Sequence, residues 1–285
     1  MTAIPSALSI QEVAALKRRK EREETGWILV EGRHPIEEAL RAGLILQAAF
    51  VRDNALESGM PQTNLPFPAK VVDEKAMGRM ADTHSAPPCL AVFERPPVPM
   101  YLAGNLALVL DEIQDPGNLG ALIRSAVAFG VESILILGDG VEAYSPKVIR
   151  ASAGLIFALP VIFTSRATLG DVLHPVDGGS SWQLFSTTVA EKGAVSPVSV
   201  DALNPSLSQN IAVTPVLPYR DVDYTGRCAI VLGNEGRGIA PELLNAPGMQ
   251  RLTIPMSPRV ESLNVAMSGA IILAEAAAQR LSSCP

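Results

Sequence analysis

Near its C-terminus the chain reads RLTIPMSPRVESLNVA, from Arg251 to Ala266. The apolar run that Pro255 closes predicts the end of a buried strand. A polar loop follows, and Ser262 is placed to cap a final helix. Strand, loop and helix N-terminus in series favour ligand binding, because unpaired N–H groups and the helix dipole converge there. One face of this helix is predicted to be core, since apolar residues recur at helical spacing from Leu263 onward, at Ala266, Met267, Ala270, Leu273 and Ala277.

Upstream of this stretch, predicted strands alternate with predicted helices. Buried apolar runs predict strands at Leu106–Leu110, Ser133–Leu137, Leu159–Phe163, Trp182–Thr187 and Cys228–Leu232. Such alternation is typical of an α/β fold in which helices cover a parallel sheet. Residues Gly193–Pro218 show no sustained period, which predicts a long loop or insertion.

A proline-rich segment, Glu94–Pro99, separates this region from a smaller α/β part. Three prolines in four positions favour an extended linker. We therefore expect an N-terminal domain at residues 1–95, a linker at 96–104 and a second domain at 105–285. The first domain is predicted to begin with one helix that runs from a capping box at Ser9 to about Glu24.

The composition limits the class of protein. With 23 basic and 29 acidic residues the net charge is −6, which disfavours a non-specific nucleic-acid binder but allows a local basic patch. No apolar run is long enough to cross a bilayer and no signal peptide is recognised, so a cytoplasmic protein is expected. Three scattered cysteines (Cys89, Cys228 and Cys284) and three distant histidines predict neither disulfides nor a metal site.

Three polar loops follow predicted strands, at Asp111–Arg124, Gly233–Gly238 and Pro255–Asn264. Ligands bind at the carboxyl ends of strands in open parallel sheets, so these loops are the candidate site. The segment Gly138–Ala143 also fits a loose dinucleotide pattern. A nicotinamide enzyme is nevertheless disfavoured, because no acidic residue ends the next predicted strand, Leu159–Phe163.

Taken in order, the three loops resemble a known family. Asp115–Ala126 reads DPGNLGALIRSA, Ile230–Gly238 reads IVLGNEGRG, and Ile254–Met256 is followed by VESLNV at Val260–Val265. These segments resemble the three signature motifs of the SpoU/TrmH-type RNA 2′-O-ribose methyltransferases of the SPOUT class. The first domain more weakly resembles the ribosomal-protein-like RNA-binding domain of the rRNA-directed branch.

The resemblance implies a parallel-sheet catalytic domain with a C-terminal trefoil knot, a homodimer formed through that domain, and S-adenosylmethionine as cofactor. It implies 2′-O-methylation of RNA, with 23S (large-subunit) rRNA as the expected substrate. The cofactor would be held by backbone and apolar groups of the second and third motifs, at Leu232, Gly233, Asn234, Gly236, Ile254, Met256, Ser262 and Leu263.

The same resemblance assigns the catalytic site to Asn118, Arg124, Glu235, Ser262 and Asn264, all of which are present. A ribose hydroxyl is a weak acid, so the site must orient it, stabilise oxyanion charge and accept a proton. Arg124 is expected to hold phosphate and polarise the 2′-OH, since a guanidinium stays protonated and is a poor base. The identity of the base is left open, and a plain helix-capping role for Asn118 is an alternative.

RNA contacts are also expected in the first domain, at Arg33 and in the basic cluster that contains Lys17, Arg18 and Arg19. Interleaved glutamates make an ordinary solvated helix face an equal alternative for that cluster. Two alternative functions are a tRNA 2′-O-methyltransferase and a catalytically silent RNA-binding protein of the same fold. The silent protein is disfavoured because no site residue is missing.

Overall fold

The computed structural model describes residues 8–53, 68–99, 101–102, 104–173, 180–187, 215–246 and 248–283. They form two compact units whose segments interleave along the chain. Unit 1 comprises Met1–Pro99, Gln114–Ala128 and Gly140–Val161, and unit 2 comprises Met100–Ile113, Phe129–Asp139 and Ile162–Pro285. The predicted domain division at residues 96–104 stays a prediction.

Among the described residues up to 99, the helices and strands are, in chain order, α1 (Ile10–Ala15), α2 (Arg19–Thr25), β1 (Trp27–Glu31), α3 (Arg33–Arg41), β2 (Leu46–Arg52), β3 (Lys70–Val72), α4 (Glu74–Met80) and β4 (Cys89–Glu94). Those that follow are β5 (Leu106–Asp111), α5 (Pro116–Ala128), β6 (Ser133–Leu137), α6 (Pro146–Ala151), a 3₁₀ turn (Leu155–Phe157), β7 (Val161–Thr164), α7 (Leu169–Val172), β8 (Gln183–Thr187), β9 (Val216–Pro218), β10 (Cys228–Leu232), α8 (Pro241–Leu244), β11 (Met249–Thr253) and α9 (Val265–Ser282).

Unit 1 is built on a four-stranded sheet in the order β1-β4-β2-β3. β4 pairs antiparallel with both β1 and β2, whereas the short strand β3 runs parallel to β2. Apolar residues that alternate along these strands pack against α1 and α4, and Leu29, Met77 and Val92 are fully buried there. Burial of this apolar surface is what stabilises the small sheet.

Helices α5 and α6 also belong to unit 1. The backbone of Gly120 in α5 lies so close to Ala151 and Ser152 of α6 that a side chain there would collide with them. Arg150 of α6 donates to the buried carboxylate of Glu31 at 2.9 Å and lies 3.4 Å from Asp82. A second buried pair joins Arg22 of α2 to Glu142, just before α6. These contacts fix α6 against the sheet of unit 1.

Unit 2 contains a seven-stranded sheet in the order β7-β6-β5-β10-β8-β11-β9. The strand pairs whose register is defined are parallel, with Val231 of β10 opposite Val109 of β5, for example. Both faces are buried, since Val109 and Val231 on one face and Leu108 and Ile230 on the other are fully buried. The predicted α/β fold with a parallel sheet is therefore confirmed.

Several local predictions need correction. The helix expected from Ser9 to Glu24 is broken in two at residues 16–18, where the side chain of Arg22 donates to the carbonyl of Leu16 and so replaces a helical bond. Strands β3 and β9 and helix α7 were missed, because segments of three or four residues carry too short a pattern. The predicted loop Gly193–Pro218 lies outside the described residues up to 214.

Candidate active site

A cleft of about 670 Å³ opens in unit 2, and its walls come from the end of β8, from the loops that follow β10 and β11 and from the start of α9. All these strands run parallel, so the cleft lies at the carboxyl edge of the sheet, where α/β proteins bind ligands. The lining includes most of the residues that the resemblance assigns to this unit, namely Gly233, Asn234, Glu235, Gly236, Ile254, Met256, Ser262, Leu263 and Asn264. Leu232 is fully buried in β10 and is not among the lining residues.

The segment Asn234–Gly238 is a tight hairpin, here called the glycine hairpin. The N–H of each end residue donates to the carbonyl of the other, at 3.0 and 2.9 Å. The side-chain oxygen of Asn234 accepts from the N–H groups of Gly236 and Arg237, which fixes the tip. Gly238 has φ +71°, a conformation that favours glycine. The hairpin therefore presents Glu235 and Arg237 at the cleft on a rigid support.

The start of α9 forms the opposite wall. Its N-cap is Asn264, whose side-chain oxygen accepts from the N–H groups of Ala266 at 2.9 Å and Met267 at 3.3 Å. The expectation that Ser262 caps this helix is therefore wrong, because the helix begins only at Val265. Ser262 is exposed at the cleft instead. The positive end of the helix dipole lies at this wall, where it favours anionic groups.

Asn118 and Arg124 lie on α5, in unit 1. The N–H of Asn118 donates to the side chain of Asp115 at 2.8 Å, so Asp115 occupies the capping position and Asn118 lies inside the first turn. A plain capping role for Asn118 is thus wrong. Arg124 is exposed on the helix. Its contribution to catalysis, like that of Asn118, stays a prediction.

The residues expected to bind RNA in the first domain all have partners within the chain. Lys17 donates to the carbonyls of Arg79 at 2.8 Å and Ala81 at 3.3 Å, and so ties α1 to the end of α4. Ion pairs join Arg18 to Glu21, Arg19 to Glu23 and Arg33 to Glu37. Exposed pairs of this kind are weak, so the arginines can exchange a carboxylate for a phosphate. RNA binding at these positions stays a prediction.

Sequence reasoning did not recognise the ion pairs that lie next to the cleft. Asp111, at the end of β5, is almost completely buried and pairs with Arg166, which follows β7. Arg166 also pairs with Glu112 at 2.8 Å. Asp111 and Glu112 were included in the first candidate loop without an assigned role, and Arg166 carried no motif. Thr187 and Ser268 also line the cleft. Thr187 ends a predicted strand, so its position at the carboxyl edge was the available signal.

Comparisons with known proteins agree with this geometry. The model of the SpoU rRNA Methylase family matches residues 105–274, and that of the MRM3-like substrate binding domain matches residues 8–91. The chain belongs to the SpoU rRNA Methylase family. SpoU methylases transfer the methyl group of S-adenosylmethionine to ribose 2′-oxygens of RNA, so the predicted family, enzyme class and cofactor are confirmed.

The relatives of this SpoU methylase match nearly its whole length. The 23S rRNA (guanosine(2553)-2′-O)-methyltransferase RlmP of Bacillus subtilis is 28% identical, with 93% of this chain and 94% of that protein covered. The crystal structure of an RNA 2′-O ribose methyltransferase is 31% identical and superimposes with a TM-score of 0.74, over 95% of this chain and 96% of that one. The SpoU methyltransferase AviRb from Streptomyces viridochromogenes, in complex with AdoMet, shares the fold at 23% identity (TM-score 0.75, with 96% and 99% covered).

The cleft suits the cofactor of the SpoU methylases in size and chemistry. Its volume lies in the range of small-molecule sites. Leu252, Ile254 and Leu263 supply apolar surface for a flat base, while the glycine hairpin brings bare backbone close enough to bond a sugar or amino-acid group. Among the described residues no cluster of metal-ligating side chains is found, and none of the described helices is both long and apolar enough for a bilayer span.

Proposed function

We propose that this SpoU methylase 2′-O-methylates 23S rRNA of the large ribosomal subunit. The observation that carries the proposal is the cleft in unit 2, where the second and third motifs meet at the carboxyl edge of the sheet. The choice of RNA rests on the similarity to RlmP over nearly the full length of both chains, and on the substrate-binding domain matched at residues 8–91.

In this proposal the cofactor is held by Gly233, Asn234, Gly236, Ile254, Met256 and Leu263. It supplies an electrophilic methyl group on a sulfonium centre. The exposed side chains at the cleft, Glu235 and Ser262, face the space that a ribose must enter. Because the glycine hairpin is rigid, the backbone of Glu235 is already in place before the substrate binds. Such preorganisation lowers the entropic part of the activation barrier for methyl transfer.

Arg124 and Asn118 are proposed to complete the catalytic set, because the segment that contains them resembles the first signature motif of the family. Arg124 would hold the phosphate next to the target ribose and polarise its hydroxyl, while the proton passes to another group. Asn118 and Asn264 would orient the ribose and the guanidinium. Ser262 would donate a hydrogen bond near the phosphate.

A homodimer formed through α9 is also proposed. Small and apolar side chains, namely Met267, Ile271, Ala274, Ala278 and Leu281, follow one face of this helix at heptad-like spacing. Met267 and Leu281 are 62% and 78% exposed, so the expectation that Met267 belongs to the core face of this helix is wrong. Such exposure is unusual for large apolar residues on a regular helix. A second copy of the helix would bury this stripe. The C-terminal knot and a cytoplasmic location belong to the same proposal.

The decisive experiment supplies purified protein and S-adenosylmethionine labelled on the methyl group with 23S rRNA, 16S rRNA and tRNA, and maps 2′-O-methylated nucleotides by resistance to alkaline cleavage. We expect label at a discrete position of 23S rRNA. Label confined to tRNA would favour the alternative substrate, and absence of transfer to any RNA would indicate a silent RNA-binding protein.

The site assignment is tested separately with Arg124→Ala. This variant should lose methyl transfer while the Kd for S-adenosylmethionine stays within about threefold, since Arg124 is proposed to contact RNA rather than cofactor. Arg220→Ala, another exposed arginine, is the matched control and should keep full activity. Full activity of Arg124→Ala would contradict the assignment.

A further inference from the structure

Arg166 bridges two acidic residues at the end of β5, although it lies outside all three motifs. Its Nε donates to Asp111 at 2.8 Å, and its Nη2 lies 2.8 Å from the carboxylate of Glu112. The side chain of Asp111 is only 1% exposed, whereas Arg166 is 32% exposed. A carboxylate buried to this degree requires a charged partner, and the planar guanidinium can serve both acids at once.

The same two acidic residues hold the glycine hairpin from both sides. The second oxygen of Asp111 accepts from the N–H of Ala240 at 2.9 Å, just beyond the hairpin. The backbone carbonyl of Glu112 accepts from the side-chain amide of Asn234 at 2.9 Å, at the start of the hairpin. Both ends of the segment that lines the cleft are thus bonded to the Asp111–Glu112 turn.

The backbone of this turn is itself held in a strained conformation. Glu112 has φ +54°, in the left-handed region that a residue with a side chain rarely adopts. Next to it, Gly138 has φ +66°, and a side-chain carbon there would lie 2.8 Å from Glu112 Oε1 and 2.9 Å from its Cγ, so glycine is favoured. Strain of this kind persists where surrounding contacts enforce it, and the bond to Arg166 is one of these contacts.

We propose that Arg166 is a positioning residue of the cleft, which keeps the glycine hairpin in its binding conformation through Asp111 and Glu112. The step to S-adenosylmethionine binding rests on the proposed function of the cleft. Without the guanidinium, Asp111 would be a buried charge with no cation. The turn would then rearrange to admit water, or the carboxylate would take up a proton from solvent. A rearranged turn would release the N–H of Ala240 and the amide of Asn234, because Asp111 and Glu112 hold both groups.

The test measures amide hydrogen exchange in the cofactor-free protein and S-adenosylmethionine binding by calorimetry, for the wild type and for Arg166→Met. Methionine keeps most of the length of the side chain but not its charge. We expect exchange at Gly238 and Ala240 to rise about tenfold or more, while Ile230 in β10 is unchanged. The Kd should rise about tenfold, because a loosened site must be ordered on binding.

Two further variants of this pair complete the series. Arg166→Lys should recover only part of both losses, since an ammonium cannot bond both acids in the same geometry. Asp111→Asn keeps the shape of the acid and can still accept from Ala240, so it separates the charge of Asp111 from its hydrogen bond. This variant should fold even if Arg166→Met does not, and should raise exchange at Ala240 less than at Asn234.

Arg150 provides the matched control. It also bridges two acidic residues, Glu31 and Asp82, but it lies in unit 1. The side chain of Arg150 is 37% exposed and that of Glu31 is 2% exposed, which resembles the Arg166–Asp111 pair. Arg150→Met should leave exchange at Gly238 and Ala240 unchanged. Unchanged exchange in Arg166→Met, or an equal rise in Arg150→Met, would overturn the proposal. If the hairpin loosens as expected but the wild type binds no S-adenosylmethionine, the positioning role stands and the proposed function fails.

Discussion

Gly233 shows how strictly one residue is specified at the cleft. It follows β10 directly, where the chain turns into the glycine hairpin, and an added side-chain carbon would collide with the backbone of Gly238 and Ile239. The sequence identified this glycine as part of a binding loop but could not say what it faces. The reason for glycine is the return of the chain five residues later, which is a feature of the folded hairpin.

Gly233→Ala should therefore open the hairpin and weaken S-adenosylmethionine binding by about tenfold or more, with a stability loss of about 1–3 kcal/mol from overpacking. Calorimetric titration and chemical denaturation check the two effects. Gly170→Ala, in α7, is the control: beyond its chain neighbours and its own helix backbone the added carbon meets no atom within 4 Å, so binding should be unchanged and stability should not fall. Unimpaired binding by Gly233→Ala would contradict the close approach.

Cys89 illustrates a residue whose chemistry follows from burial. It lies in the core of unit 1, and burial raises the pKa of its thiol to about 11. At pH 8 about one thiol in a thousand is then ionised, and the thiolate is the reactive form. Cys89 should resist iodoacetamide at pH 8 in the folded protein and react after denaturation. Mass spectrometry of the peptide checks this, and rapid labelling of the native protein would show that the strand opens.

At the scale of the element, helix α6 is placed by charged contacts rather than by its own pattern. Its start has a local cause, because the side chain of Ser145 accepts from the N–H of Val148 and caps the helix. The contact of Arg150 with Glu31 has no local signal, because the two residues are 119 positions apart. Buried pairs of this kind fix orientation more than they add stability.

Arg150→Met should lower the free energy of unfolding by about 2 kcal/mol, because Glu31 keeps its burial and loses its cation. This is less than for a fully buried pair, since Arg150 is partly solvated. Urea denaturation measures the change. Arg41→Met, which removes an exposed partner of Glu38, should lower the free energy of unfolding much less, because water screens this pair. Equal losses in the two variants would contradict the difference in burial.

Helix α9 is the element on which the proposed dimer depends. Replacing Ala278 and Leu281 together by glutamate should convert the dimer to a monomer, since like charges would face each other across the interface. Light scattering during gel filtration gives the mass. Ile45→Glu, at an equally exposed apolar residue in unit 1, should leave the mass unchanged. A wild-type protein of monomer mass would rule out the interface.

At the scale of the whole molecule, an acidic chain must bind RNA through a few well-placed cations. With a net charge of −6, we expect log K for RNA to fall only shallowly with log salt, at about 0.7 per phosphate contact for a single strand. Arg124→Ala should reduce this slope by about one contact, or 0.7. The slope is measured by filter binding between about 50 and 300 mM salt. Arg220→Ala is the reference variant, whose slope should equal that of the wild type.

The sequence by itself determined the parallel sheet and the family. Runs such as Ser133–Leu137 and Cys228–Leu232 are buried on both faces and have the same bounds in the structure, and the motif loops follow such runs. Those features are local, so a short stretch of residues carries them.

Only the tertiary structure decided which charges meet. Arg166 reaches Asp111 across 55 positions, and Asn264 rather than Ser262 caps α9 because the loop from β11 continues two residues further than its polarity suggested. Tertiary packing decides which charged side chains become neighbours in the interior. A local sequence pattern does not contain that information, because the two partners are distant along the chain.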